Sequence, residues 1–249
     1  MKFIFWFGIL INGFIFSCLA EKINVAMEPF PPFVNAEGTG LTIDMLHAIE
    51  EISDLEFDIE IMTYARAKHQ LKNHRIQIVG HTPKNLETDE FYLYAQELDW
   101  IIDTTSDIFT FERNFFDLSR LKKGRIGTTI GNADFFAKQM KIPRDKFIQT
   151  ATLRQLVDML VKRRIDVLVF ERVSVMTLLQ EKNISGVYYQ SIGTVPASIA
   201  VYKNSAGKKL KEKLDKLIQQ LPLESIFSGH LQYTDLPESG KVPIFTQPN

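Results

Sequence analysis

The chain has 249 residues, 45% of them apolar and 24% charged, with a formal net charge of −1. Such a chain is long enough to bury a full core without disulfide or metal staples, and its composition is neither disordered nor collagen-like. Near-neutral charge argues against nucleic-acid binding by bulk phosphate attraction.

The first twenty residues differ from the rest. Lys2 precedes an apolar run from Phe3 to Phe16, broken by Asn12 and two glycines, and Ser17-Cys18-Leu19-Ala20 leads to Glu21. This is the pattern of a secretory signal peptide cleaved after Ala20. It is favoured over a membrane anchor, because the run is at the short edge of a span. Cleavage removes Lys2 and leaves residues 21–249 with a charge of −2. Cys18 is the only cysteine, so the exported protein is expected to have no thiol. That excludes a disulfide scaffold, a Cys-ligated zinc site and a cysteine nucleophile. A lipidated Cys18 is the less favoured alternative, since Phe16 is bulky for a lipoprotein signal. No later stretch approaches the roughly 18 apolar residues of a spanning helix.

The remainder alternates strand and helix. Residues 23–27 form an apolar strand stopped by Glu28-Pro29-Phe30-Pro31-Pro32. A helix follows over 42–53, with Met45, Leu46, Ile49 and Ile52 at helical spacing. Phe57, Ile59 and Ile61 alternate with acids as in a half-buried strand. A short helix over 65–73 and a strand over 76–79 complete a βαβαβ unit. The pattern then repeats, with a strand over 125–129 and a helix running from Gly131-Asn132-Ala133-Asp134 to Met140. Thr152 and Gln155 have capping-box spacing ahead of a Leu153, Leu156, Val157, Leu160, Val161 stripe. Residues 166–170 read as a buried parallel strand, 198–202 as another strand, and 206–221 as an amphipathic helix ended by Pro222. Two such halves without a Gly/Ser linker point to two lobes around one cleft.

Motifs for familiar chemistry are missing. Gly38-Thr39-Gly40 lacks the third glycine of a dinucleotide loop, because position 43 is Ile, and Gly127 to Gly131 lacks the Lys-Ser/Thr of a P-loop. Both read as turns, and no cofactor is expected. None of His47, His69, His74, His81 and His230 forms a zinc motif; His81, after a strand end, is the one placed to border a cleft. There is no Gly-x-Ser-x-Gly elbow. Glu171 and Arg172 follow the 166–170 strand, where open α/β sheets gather ligands; a binding group and a return to solvent are equally supported there. The lysines between Lys203 and Lys216 read as a solvated helix face. Phe30, Phe33 and Tyr64 at strand ends suit a pocket floor or core packing alike.

Taken in order, these segments resemble the bacterial extracellular solute-binding proteins of family 3, the type that feeds amino acids to ABC transporters. The resemblance runs from about Ile23 to Leu231. It is carried by Ile23-Asn24-Val25-Ala26, Pro29-Phe30-Pro31-Pro32-Phe33, Gly40-Leu41-Thr42-Ile43-Asp44-Met45, Gly124-Arg125-Ile126-Gly127 with Gly131, Arg164-Ile165-Asp166-Val167-Leu168-Val169 and Ser198-Ile199-Ala200-Val201-Tyr202-Lys203.

The resemblance implies a type II periplasmic-binding-protein-like α/β fold. Lobe 1 would comprise 21–104 and 197–249, and lobe 2 would comprise 105–196. Each lobe would be an open, mostly parallel sheet flanked by helices, closing by hinge motion around a solute. It implies a monomeric, periplasmic binding protein for a small polar solute, an amino acid or an amine, partnered by an inner-membrane ABC permease or serving sensing. The alternatives are a binding module without a transporter, or an enzyme of dehydratase type with Glu171 as its acid/base.

Site residues carry over only in part. The family's Thr-x-x-Arg carboxylate grip is matched by Thr82-Pro83-Lys84-Asn85, without the arginine. Lys84 offers only a point charge in its place. Glu171 matches the acid that holds a ligand amino group, and Asn132, Ala133 and Asp134 match the segment whose backbone meets the ligand, although Asp134 would repel an anion. Glu28, Phe30 and Tyr64 match wall positions, and a buried Arg66 would replace the lost carboxylate grip. With that arginine absent and Glu171 present, a cationic or amine-bearing solute gains ground.

Overall fold

The computed structural model describes residues 21–243, leaving aside the side chains at 229, 231 and 232. The expected signal peptide, including Cys18, lies outside the described residues. In chain order the first elements are β1 (Glu21–Met27), α1 (Leu41–Glu51), β2 (Leu55–Ile61), α2 (Tyr64–Lys72), β3 (Ile78–Pro83), α3 (Asp89–Tyr94), β4 (Ala95–Glu97) and β5 (Ile102–Thr110). Then come β6 (Ile126–Thr129), α4 (Ala133–Met140), β7 (Phe147–Thr150), α5 (Leu153–Val161), β8 (Val167–Glu171) and α6 (Arg172–Glu181). The chain continues through β9 (Tyr188–Tyr202), α7 (Ser205–Ile218), α8 (Leu223–Ile226) and β10 (Ser239–Lys241).

The sheet order is β2-β1-β3-β9-β5-β8-β6-β7, with β4 and β10 added on β9. Its ends are parallel βαβ units, β2-β1-β3 and β8-β6-β7. Its middle is antiparallel, where β9 lies beside β3 and β5, and β5 beside β8. The helices form because their apolar residues share one face. Ile43, Met45, Leu46 and Ile49 of α1, and Leu153, Leu156, Val157 and Leu160 of α5, are buried. Each such side chain contributes roughly 1.5–3 kcal/mol by leaving water. Thr152 caps α5 by accepting from Gln155 N at 3.2 Å. The entry to α1 requires glycine: Gly40 has φ +127°, and a Cβ there would lie 2.6 Å from the carbonyl oxygens of Pro32 and Phe33.

Two strands are longer than their local patterns suggest. The strand expected over 198–202 begins at Tyr188, and β5 fills the stretch before the second unit. Their register runs from Ile102 opposite Ala197 to Thr110 opposite Tyr188, with an irregularity between Ser106 and Asp107. β9 is therefore one continuous strand that pairs with β3 of the first parallel unit and with β5, which in turn pairs with β8 of the second. β10 pairs with Tyr188, Tyr189 and Gln190, the opening of β9.

Candidate functional site

The carboxyl ends of the strands from both units meet at one cavity of about 50 Å3. Glu28 directly follows β1, His81, Thr82 and Pro83 close β3, and Phe170 and Glu171 close β8, all of which line it. The turn into α4 supplies Asn132, and the crossing strands supply Thr104, Ser106, Val195 and Ala197. Phe30 is brought in by the proline-rich loop, which closes on itself through paired hydrogen bonds between Phe30 and Val34. Among the described residues, no Lys or Arg lines the cavity.

Two buried carboxylates give it an acidic character. Glu28 is 5% exposed; Asn132 Nδ2 approaches its Oε1 at 3.3 Å and its Oε2 at 3.5 Å, and Thr129 Oγ1 lies 3.4 Å from Oε2. Burial outweighs these bonds and the more distant Lys68 charge, pushing its pKa up to about 7. Glu171 is the N-cap of α6, accepting from Val173 N at 2.8 Å and Ser174 N at 2.7 Å. Burial raises its pKa too, to about 7, against the pull of those amides.

The opposite wall is aromatic and neutral. His81 Nε2 shares a hydrogen bond with Thr42 Oγ1 at 2.9 Å, its buried Nδ1 has no partner among the described residues, and burial holds its pKa down at about 3. The His81 ring packs 5.0 Å from that of Phe30, which meets Phe170 edge-on at 5.7 Å across the cleft. Thr82 is turned to Glu97, donating to Oε1 at 2.8 Å.

Of the residues proposed from sequence, Glu28, Phe30, His81, Thr82, Asn132 and Glu171 come together at this cavity. The others lie elsewhere. Tyr64 is buried behind it, donating to Glu87 Oε1 at 2.7 Å beneath the Lys68 ammonium. Arg66 is exposed on α2, so it is not a buried grip for a carboxylate: the inward face of that helix belongs to Tyr64, Ala67 and Leu71. Lys84 donates to the carbonyls of Leu98 at 2.6 Å and Asp99 at 2.9 Å, which holds its charge at the chain crossing. Ala133 is buried as the first residue of α4, and Asp134 is exposed and paired with Arg144 at 2.8 Å.

Sequence reasoning missed Thr104, Ser106, Phe135, Phe136, Phe170, Val195 and Ala197. Phe170 alone carried a signal, as the residue before Glu171 at a strand end. It also left Arg172 open. That side chain is 3% exposed and makes a double hydrogen bond to fully buried Asp107, at 2.8 and 3.1 Å.

The strand order, the crossing strands and the cleft define a two-lobed periplasmic-binding-protein-like α/β domain. No protein-family model matches the sequence, and no curated protein matches it. Solved structures do. A histidine kinase sensor domain with similarity to periplasmic binding proteins superposes with a TM-score of 0.71 at 15% identity, covering 86% of this chain and 98% of its own. The GluR0 ligand-binding core from Nostoc punctiforme, in complex with L-glutamate, has a TM-score of 0.69 at 15% identity, with 84% and 99% covered. The substrate-binding protein of an amino acid ABC transporter has a TM-score of 0.66 at 22% identity, with 85% and 97% covered. The fold is thus shared with transport and sensor proteins. Among the described residues, no helix is long and apolar enough to cross a membrane.

Proposed function

We propose that the chain is an exported, non-enzymatic binding protein that captures a small amine-bearing solute between its lobes, for ABC-type uptake or for sensing. The lobes are taken as 21–104 with 197–249, and 105–196. The observation that carries the solute class is the pair of buried carboxylates, Glu28 and Glu171, on one small cavity lined, among the described residues, by no Lys or Arg. Two such groups repel an anion and pair with an ammonium, which in turn favours their charged forms. The aromatic rings of Phe30 and Phe170 offer faces to the same cation.

The cavity, about 50 Å3, holds little more than one or two waters at roughly 30 Å3 each. A larger solute therefore enters by hinge opening, and Glu28, freed from Asn132 and Thr129, becomes available to it. The similar structures of a substrate-binding protein of an amino acid ABC transporter and of a histidine kinase sensor domain support capture for uptake or sensing.

The test is a thermal-shift screen against amines, polyamines, amino acids and small carboxylates. Binding at 100 times Kd adds roughly 2.7 kcal/mol, a midpoint rise of about 5–10 °C at this size. The expected hits are amines, weakened in Glu28→Gln and Glu171→Gln. Hits confined to carboxylates would refute the amine assignment.

A further inference from the structure

A second, larger cavity of about 450 Å3 opens on the other side of Glu171 and Thr104, between the start of α6, the crossing strand β5 and the chain from α8 to Thr234. Its size falls in the range of roughly 300–1,000 Å3 typical of small-molecule sites, whereas the inner cavity does not. Its walls combine two features. Trp100, Phe227 and Tyr233 contribute aromatic surface, and the Trp100 and Phe227 rings meet 5.6 Å apart at an interplanar angle of 41°, forming a corner. Asp103, Glu171 and Glu224 contribute carboxylates. The guanidinium on the wall, Arg172, has its charge answered by Asp107, and its remaining Nη1 donates to Leu236 O at 3.1 Å. The lining is therefore acidic as well as aromatic.

We propose that this cavity is a second binding site, for a small organic cation. Aromatic faces attract ammonium groups through the ring quadrupole, most strongly for tryptophan, and the flanking carboxylates add charge complementarity. An inorganic cation fits less well: no group of three potential ligands for a metal ion occurs among the described residues. Glu171 lines both cavities, so a cation here acts directly on a wall of the inner cleft. The site does not depend on what the inner cleft binds.

Tryptophan occurs only at positions 6 and 100, so in the full chain carrying Trp6→Phe the tryptophan signal comes from Trp100 on this wall, and because its ring also lies 6.4 Å from that of His81 the variants below assign the cavity. The probe is choline, with its uncharged isostere 3,3-dimethylbutan-1-ol as control. The expected result is a saturable change in Trp100 fluorescence with choline and none with the alcohol. Affinity should be weakened at least about fivefold in Asp103→Asn and in Glu224→Gln, each an exposed position, and retained in Glu28→Gln, which touches only the inner cavity. No saturable change, or equal response to the alcohol, would overturn the proposal. A response lost in Glu28→Gln but kept in both outer variants would place the cation in the inner cleft, overturning the second site while supporting the cleft reading.

Discussion

Asn132 Nδ2 lies 3.3 Å from Glu28 Oε1, joining the β6–α4 turn of one parallel unit to the end of β1 in the other. The same amide nitrogen donates to Thr129 Oγ1 at 2.6 Å, which fixes its direction. The bond exists only while the halves are together. Asn132→Ala is therefore expected to cost the closed form roughly 1 kcal/mol, about fivefold in the closed-to-open ratio. Small-angle scattering of the ligand-free protein should give a larger radius of gyration than wild type, with little change in thermal midpoint. An unchanged radius would show that this bond does not hold the cleft shut.

Stability should depend on pH in a direction opposite to that of ordinary paired carboxylates. Glu28 and Glu171 have pKa values raised from 4.5 to about 7 by burial, so the folded state keeps their protons after the unfolded state has lost them. Their contribution is full below about pH 4.5 and disappears as pH rises through 7. His81, held down at about 3 from 6.5, works the other way: its contribution is lost as pH falls from about 6.5 toward 3. Above pH 6.5 the carboxylates dominate, because the last of the unfolded-state His81 charge offsets only about 0.4 kcal/mol. Between pH 6.5 and 8 they should cost the ligand-free protein roughly 0.8 kcal/mol each, together a fall of about 3–6 °C in midpoint. Glu28→Gln should remove about half of that slope. Lys68 and Glu87, which also act on Glu28, are paired with each other at 3.0 Å. Amine affinity should rise over the same range, by about tenfold per engaged carboxylate between pH 6 and 8.

What the sequence disclosed follows from which interactions are local. β1, α1 and α5 announce themselves because one face of each packs against its own unit, so Met45, Leu46 and Ile49, or Leu153, Leu156 and Val157, keep a clear period. The crossing strands do not. β5 reads Ile-Asp-Thr-Thr-Ser-Asp-Ile-Phe-Thr, with buried Thr104, Ser106 and Asp107; Thr104 Oγ1 donates to Val195 O of β9 and Asp107 accepts from Arg172, so neither needs water. Gly193 and Pro196 interrupt the strand pattern of β9, although the backbone runs through both. Glu171 and Glu28 were legible as residues at strand ends. The exposure of Arg66 was not, since it depends on which face of α2 the sheet covers.

Gly131 sets how closely the halves approach. It has φ +103°, and a Cβ there would lie 2.8 Å from Ala65 N and 3.2 Å from Ala65 Cα, backbone atoms in the first turn of α2. Its carbonyl meets Lys68 Nζ at 3.4 Å across the same gap. Gly131→Ala should weaken solute binding by at least about tenfold, by blocking full closure, and destabilise the fold by only about 1–2 kcal/mol through the left-handed backbone. Calorimetric titration beside chemical unfolding separates the two effects. Wild-type affinity in the variant would mean that the halves need not touch at Ala65.

The Arg172–Asp107 pair should dominate stability near the crossing strands. Both side chains are almost fully buried, at 3% and 0% exposure. Arg172 also stacks 5.1 Å from the centroid of the Tyr189 ring and ties down Leu236 O ahead of β10. Burial already lifts the Asp107 pKa to about 6 against the pull of Arg172, so Arg172→Met leaves Asp107 unpaired in the interior and drives it to take up a proton, a loss of roughly 3–5 kcal/mol, and Asp107→Leu alone strands the guanidinium at a similar cost. The double variant removes both charges, so it should recover most of the loss, because a buried ion pair often only breaks even against apolar residues of similar volume. Urea unfolding of the two single variants and the double variant yields the coupling directly. Additive losses would mean that the two residues act independently, against the geometry. The tie to Leu236 has its own signature: Arg172→Met should speed proteolysis after residue 234 in the double variant as well, since restoring charge balance does not restore that bond.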